Sequence, residues 1–180
     1  MSELRKSNTD HPYFITMTIV GWIDLFSRER YCQAVVESLK FCIQNKGLRL
    51  FEYVIMPSHV HIICQHLEGK LPDIIRDMKS FLAKEFLRLI DEPGESRGEW
   101  LKYMFGYYAK STRQNKKYMV WQKTGHPVEL SNKGIYDQKV EYLIMNPVVS
   151  GYVIDGTTWK HSSACRWSLL KLNENGELEK

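Results

Sequence analysis

The chain has 180 residues, 43% of them hydrophobic, which suits a globular protein able to bury a core. Its 25 Lys and Arg against 21 Asp and Glu give a net charge of +4, a mild basic bias that permits a nucleic-acid partner without requiring one. No apolar run approaches the ~18 residues of a membrane span, and the N-terminal segment Met1 to Ser7 lacks the apolar stretch of a signal peptide.

The first eleven residues are polar and are expected to be loose. Tyr13 to Val20 is β-branched and aromatic, with Thr16 and Thr18 on one face and Ile15, Met17 and Ile19 on the other, so it predicts a strand. Glu29 to Asn45 reads as a helix with a broad apolar side, closed by Gly47 just beyond its end. Arg49 to Met56 and His59 to Gln65 are two strands joined through Pro57-Ser58 as a hairpin. Leu71 to Ile90 is a long helix. Pro72 stands in its first turn, and Leu71, Ile74, Ile75, Met78, Leu82, Phe86 and Leu89 recur at three and four. After a Pro/Gly loop, Trp100 to Lys110 predicts a further helix. Tyr118 to Gln122 and Pro127 to Leu130 read as short extended pieces. Ile135 to Asn146 predicts the last helix, with Pro147 as its stop. Leu172 to Lys180 reads as a loose charged tail.

The resulting order, βαββαβ with an inserted helix and a final helix added, predicts an α+β, ferredoxin-like fold. One domain spans residues 1–180. Its sheet is antiparallel, both long helices lie on one face, and the last helix carries Tyr142. Four cysteines without CxxC spacing, three of them inside apolar runs, point to a reducing, cytoplasmic compartment.

Two stretches carry chemistry. On a strand, His59 and His61 project from one face while Val60 and Ile62 project from the other, so both imidazoles can reach one ion. The bland alternative is a pair of satisfied structural histidines. Cys64 falls on the opposite face and does not complete a closed zinc set. On the last helix, Gln138, Tyr142 and Asn146 share one stripe at spacing four. Asn146 reads either as an ordinary helix-end residue before proline or as a neutral oxygen ligand beside two imidazoles. A set of that kind suits Mg²⁺ or Mn²⁺ completed by phosphate and water oxygens. Tyr142 reads either as a residue bridging core and solvent or as a nucleophile towards a phosphodiester. Arg76, Lys79, Lys84, Arg113, Lys116 and Lys117 are a solvated surface or phosphate contacts. Trp121, with Tyr107 and Tyr118, is a candidate for stacking unpaired bases.

At these residues the chain resembles the single-tyrosine HUH transposases, in their REP-associated branch. The resemblance runs from Tyr13 to about Ser163. It includes Ile55-Met56-Pro57-Ser58-His59-Val60-His61-Ile62-Ile63, Ile75 to Phe81, and Glu141-Tyr142-Leu143-Ile144-Met145-Asn146-Pro147-Val148, with a weaker echo at Trp159 to Ala164. It implies Tyr142 as nucleophile, His59 and His61 as metal ligands, and Asn146 as the third ligand. It further implies Mg²⁺- or Mn²⁺-dependent cleavage and rejoining of single-stranded DNA bearing hairpins, through a 5′-phosphotyrosine. The mobile insertion-sequence branch carries Gln four residues after the tyrosine. Asn146 stands there in this chain, which leaves Gln138 as an alternative ligand. The resemblance leaves two quaternary states open, a monomer working in cis and a dimer whose tyrosine helix completes the other subunit's site; the apolar hairpin and several tryptophans lean towards a homodimer. Two rival readings remain: a non-catalytic single-strand nucleic-acid module, and a metal-dependent phosphoesterase that uses water.

Overall fold

The computed structural model describes residues 10–111, 117–123 and 127–179. Its elements are β1 (Tyr13–Thr18), α1 (Glu29–Lys46), β2 (Arg49–Met56), β3 (His59–Gln65), α2 (Leu71–Ile90), α3 (Gly98–Ser111), β4 (Val128–Glu129) and α4 (Lys133–Val149). The strands form one antiparallel sheet in the order β2-β3-β1-β4, the ferredoxin-like arrangement expected from the sequence.

Strand alternation decides what each sheet face meets. Ile15, Met17, Tyr53, Ile55, Val60, Ile62 and Cys64 face α1 and α2 and join one large core with Leu39, Leu82 and Phe86. Phe14, Val54, Met56 and Ile63 face the other way, into a smaller cluster beneath Leu143 of α4 and the partly buried Val140 and Trp159. The two long helices therefore share one face, as expected, and the tyrosine helix covers the second. Gly47 adopts the left-handed cap at the end of α1 (φ 66°).

Two sequence expectations are corrected. Pro147 does not stop α4, which runs on to Val149. In the final turn a proline forfeits only one backbone bond, so the helix tolerates it there and Asn146 keeps its helical phase. The expected loose tail is tied down among the described residues: Leu172 bridges Leu178, and Leu50 N–H donates to Gly176 O at 2.8 Å. Residues 161–163 run beside β2 as well, through Ile55 N–H to His161 O and Ser163 N–H to Tyr53 O. The apolar residues of the hairpin pack into the two clusters of their own chain. Residues 1–9, most of the other expected loose end, lie outside the described residues.

All four cysteines are free and buried. Among the described residues no helix is long and apolar enough to cross a membrane.

Candidate active site

β3 begins at His59, directly after the Pro57-Ser58 turn. Alternation sends Val60 and Ile62 into the α1/α2 core and both imidazoles to the α4 side. The two rings lie 4.7 Å apart between centroids, at 73° to each other. The β1 register places Thr18 opposite His59 and Thr16 opposite His61. Thr16 Oγ1 lies 2.8 Å from His61 Nδ1, and Ser58 Oγ lies 3.2 Å from His59 Nδ1. With the proton on Nδ1, each ring donates to a hydroxyl oxygen and keeps the Nε2 lone pair for another partner. Metal-ligating histidines are commonly fixed in this way through their second nitrogen.

Electrostatics keep both rings uncharged. His61 is only 4% exposed and stacks on Phe14 at 5.1 Å. Burial, aided by His59 and the Lys139 cation, holds its pKa down at about 3. Burial also lowers that of His59. Both imidazoles are therefore neutral near pH 7, with no proton to lose before acting as ligands.

α4 is fixed at its start by Asn132, whose side-chain oxygen accepts from Ile135 N–H at 3.0 Å. Its phase puts Leu143 into the core and brings two polar side chains to the histidines. Asn146 is buried, with Nδ2 3.3 Å from His61 Nε2. The Tyr142 ring stands edge-on to His61 at 5.4 Å and to Phe14 at 5.8 Å, yet the residue stays 46% exposed. Its ring is thus beside the His61 imidazole and open to an incoming group. Gln138 is exposed; the amide meeting His61 belongs to Asn146.

The structure adds residues that sequence reading missed. Lys139 Nζ lies 4.9 Å from the Phe14 ring centroid and 5.5 Å from that of Tyr142. Its place three residues before Tyr142, one helical turn away, was the available signal. Thr16 and Ser58 become visible only through cross-strand register and the turn. Trp22 packs edge-on against His59 at 5.5 Å, and nothing in its local sequence marked it.

The proposed nucleic-acid contacts differ in how far they are already engaged. Arg76 is engaged by Asp73 and Asp77, at 2.6 and 2.9 Å. Lys79 donates to Gln122 O at 3.3 Å and lies over the Trp121 ring, and burial lowers its pKa. Lys84 and Lys117 are exposed. Arg113 and Lys116 lie outside the described residues. Trp121 is corrected: it is 7% exposed, packs against Phe26 and Phe86, and donates its indole N–H to Lys79 O at 2.9 Å. It is a core residue and offers no face to a base. Arg76, Lys79, Lys84 and Lys123 do line one groove between α2 and residues 118–123.

Among the described residues no three His, Cys, Asp or Glu side chains converge. A metal centre here would rest on His59, His61 and the Asn146 amide. Two imidazoles anchored through Nδ1, beside a buried amide able to turn its oxygen inward, fit a divalent cation.

No family model matches the chain, and no curated protein sequence does. Among solved structures, the chain is similar to a REP-associated tyrosine transposase bound to a REP hairpin. The likeness has 16% identity and a TM-score of 0.62, over 100% of this chain and 99% of that one. A candidate transposase from Deinococcus radiodurans R1 is more distant, at 14% identity and a TM-score of 0.45, over 84% of this chain and 98% of that one. At such identity the first likeness establishes a shared architecture: this chain has the fold of that tyrosine transposase from end to end.

Proposed function

We propose that this chain is a REP-associated tyrosine transposase, a DNA strand-cleaving and rejoining enzyme acting on single-stranded DNA that bears a hairpin. The observation that carries the reading is the Tyr142 ring 5.4 Å from His61, within one chain, with His59 alongside and both imidazoles neutral. Resemblance of the motifs and the shared fold point the same way.

His59, His61 and Asn146 would hold a divalent cation, which supplies polarisation of the scissile phosphate and screening of its charge. Two nitrogen donors favour Mn²⁺ over the harder Mg²⁺ at equal concentration. The Tyr142 oxygen attacks phosphorus, and its proton leaves to solvent. The bond from phosphorus to the 3′ oxygen breaks, and that oxygen takes a proton to become a free 3′ hydroxyl. The 5′ phosphate stays on Tyr142 as an ester that keeps the bond energy for rejoining. Lys139 holds positive charge over the phenol ring and meets the charge that develops there. Tyr142 lies against His61 of its own chain, which supports a site assembled in cis.

The test is a hairpin-bearing single strand incubated with Mn²⁺. Wild type is expected to give a denaturant-stable protein–DNA adduct, and Tyr142→Phe none. Adduct from Tyr142→Phe sinks the nucleophile assignment. Cleavage by wild type with no attached protein means a water-using phosphoesterase, and equal binding in EDTA without cleavage means a binding module.

A further inference from the structure

Val20 to Trp22 form a single 3-10 turn at the exit of β1, between the sheet and α1. Trp22 is the one non-glycine residue with positive φ among the described residues, at 56°. That conformation crowds the Cβ of an L-residue and is far commoner in Gly, Asn or Asp. The turn is nonetheless firmly held. Ile19, Val20 and Ile23 are buried, Val20 N–H donates to Val120 O at 2.9 Å, and Trp22 N–H donates to Ile19 O at 3.1 Å. Gly21, at φ 64°, lies so close to Tyr108 that a Cβ would sit 2.2 Å from its hydroxyl oxygen. The turn that carries Trp22 is thus fixed on both sides, and its positive φ is held within a rigid frame.

The outcome is an indole pushed out of the core. Trp22 is 61% exposed, and its ring touches His59 edge-on at 5.5 Å. A chain seeking stability alone would place Asn or Gly at such a turn and bury its tryptophan. Strain of this kind, kept at the rim of a site, is a pointer to function. An exposed aromatic face suits an unpaired base, which stacks on it irrespective of sequence. Paired bases are already stacked on one another and offer no free face.

We infer that Trp22 is a stacking platform for one unpaired nucleobase beside the His59/His61 site, fixing the strand so that a neighbouring phosphate reaches Tyr142. This deepens the proposed function and rests on it. Trp22 would act as a positioning residue, holding the base flanking the scissile phosphate.

The test uses the full chain in a Tyr142→Phe background, so that binding is read without cleavage. The probe is a fluorescent hairpin-bearing strand whose unpaired flank is replaced, one nucleotide at a time, by abasic sites. With Trp22 present, one flank position is expected to lose about tenfold in affinity when its base is removed. Trp22→Asn should bind the intact strand about tenfold more weakly and show no further loss at that position. Trp22→Phe should keep most of the position's effect. Trp22→Asn should melt no lower than its parent, since Asn tolerates the left-handed turn. The inference is overturned if Trp22→Asn binds the intact strand like its parent, or if the abasic profile is unchanged by the substitution. Adduct formation in the Tyr142 background, run in parallel, separates this failure from that of the enzyme reading: a Tyr142-dependent adduct with an unchanged abasic profile sinks only the role of Trp22.

Discussion

On its α1/α2 side the sheet meets two long amphipathic helices, and Phe86, Leu82, Ile62 and Tyr53 are sealed from water. On its α4 side the cover is one helix, the cluster is small, and polar groups are admitted: Thr16, Thr18, His59, His61 and Asn146. The same strands supply both faces, so the difference lies in what each alternate residue was chosen to do. One face is optimised for apolar burial. The other sacrifices some burial to hold two imidazoles neutral and a phenol within reach of solvent.

Substitutions should divide along this line. Phe86→Ala removes a fully buried ring and is expected to cost about 3–5 kcal/mol in urea unfolding, while adduct yield per folded molecule stays near wild type. Tyr142→Phe should change stability by no more than about 0.5 kcal/mol. If Phe86→Ala selectively abolished chemistry in the folded fraction, the division between the faces would fail.

Thr16→Val comes next. It keeps shape but removes the hydroxyl that fixes His61 Nδ1. The Mn²⁺ concentration for half-maximal adduct is expected to rise about 10- to 100-fold. An unchanged Mn²⁺ requirement would show that His61 is not held for a cation.

The pH response sharpens the same contrast. Burial depresses the pKa of folded His61 to about 3, against about 6.5 for an unfolded histidine. Between those values the unfolded chain takes up a proton that the native chain refuses, so stability is complete above about pH 6.5 and falls as pH drops. His61 alone should remove about 1.6 kcal/mol between pH 6.5 and 5. His61→Gln should flatten that slope in urea midpoints; parallel slopes for the two proteins would contradict a neutral, desolvated imidazole. The smallest effect is expected at Lys139: Lys139→Met should slow adduct formation about tenfold at saturating DNA, with Lys139→Arg restoring most of it.

Much of this was legible because local and global signals agreed. β2, β3 and α2 were bounded by unambiguous turns and periods, and the histidine alternation followed from strand geometry alone. Pro147 misled because proline's penalty depends on how much helix remains after it, and here only the last turn does. Trp121 misled because an aromatic in a short extended piece gives no clue to which face is covered; the α2 groove covers it. Lys139, Thr16 and Ser58 entered the site through tertiary neighbours that no sequence spacing encodes. Trp22 was unreadable for a different reason: the turn that carries it is held by Val120 against Val20 and by Tyr108 against Gly21, far along the chain.

The backbone that runs beside β2 at 161–163 and again at Gly176 has one more consequence. β2 ends the sheet, and a strand in that place normally offers its free amides and carbonyls to any passing chain. Here the C-terminal segment occupies part of that row already. A protein cut after Trp159 would bare a rim at Tyr53, Val54 and Ile55, and is expected to scatter more light than the intact chain at equal concentration. The twenty-one residues after Trp159 are in that sense a hem, and what they prevent is fraying into aggregates.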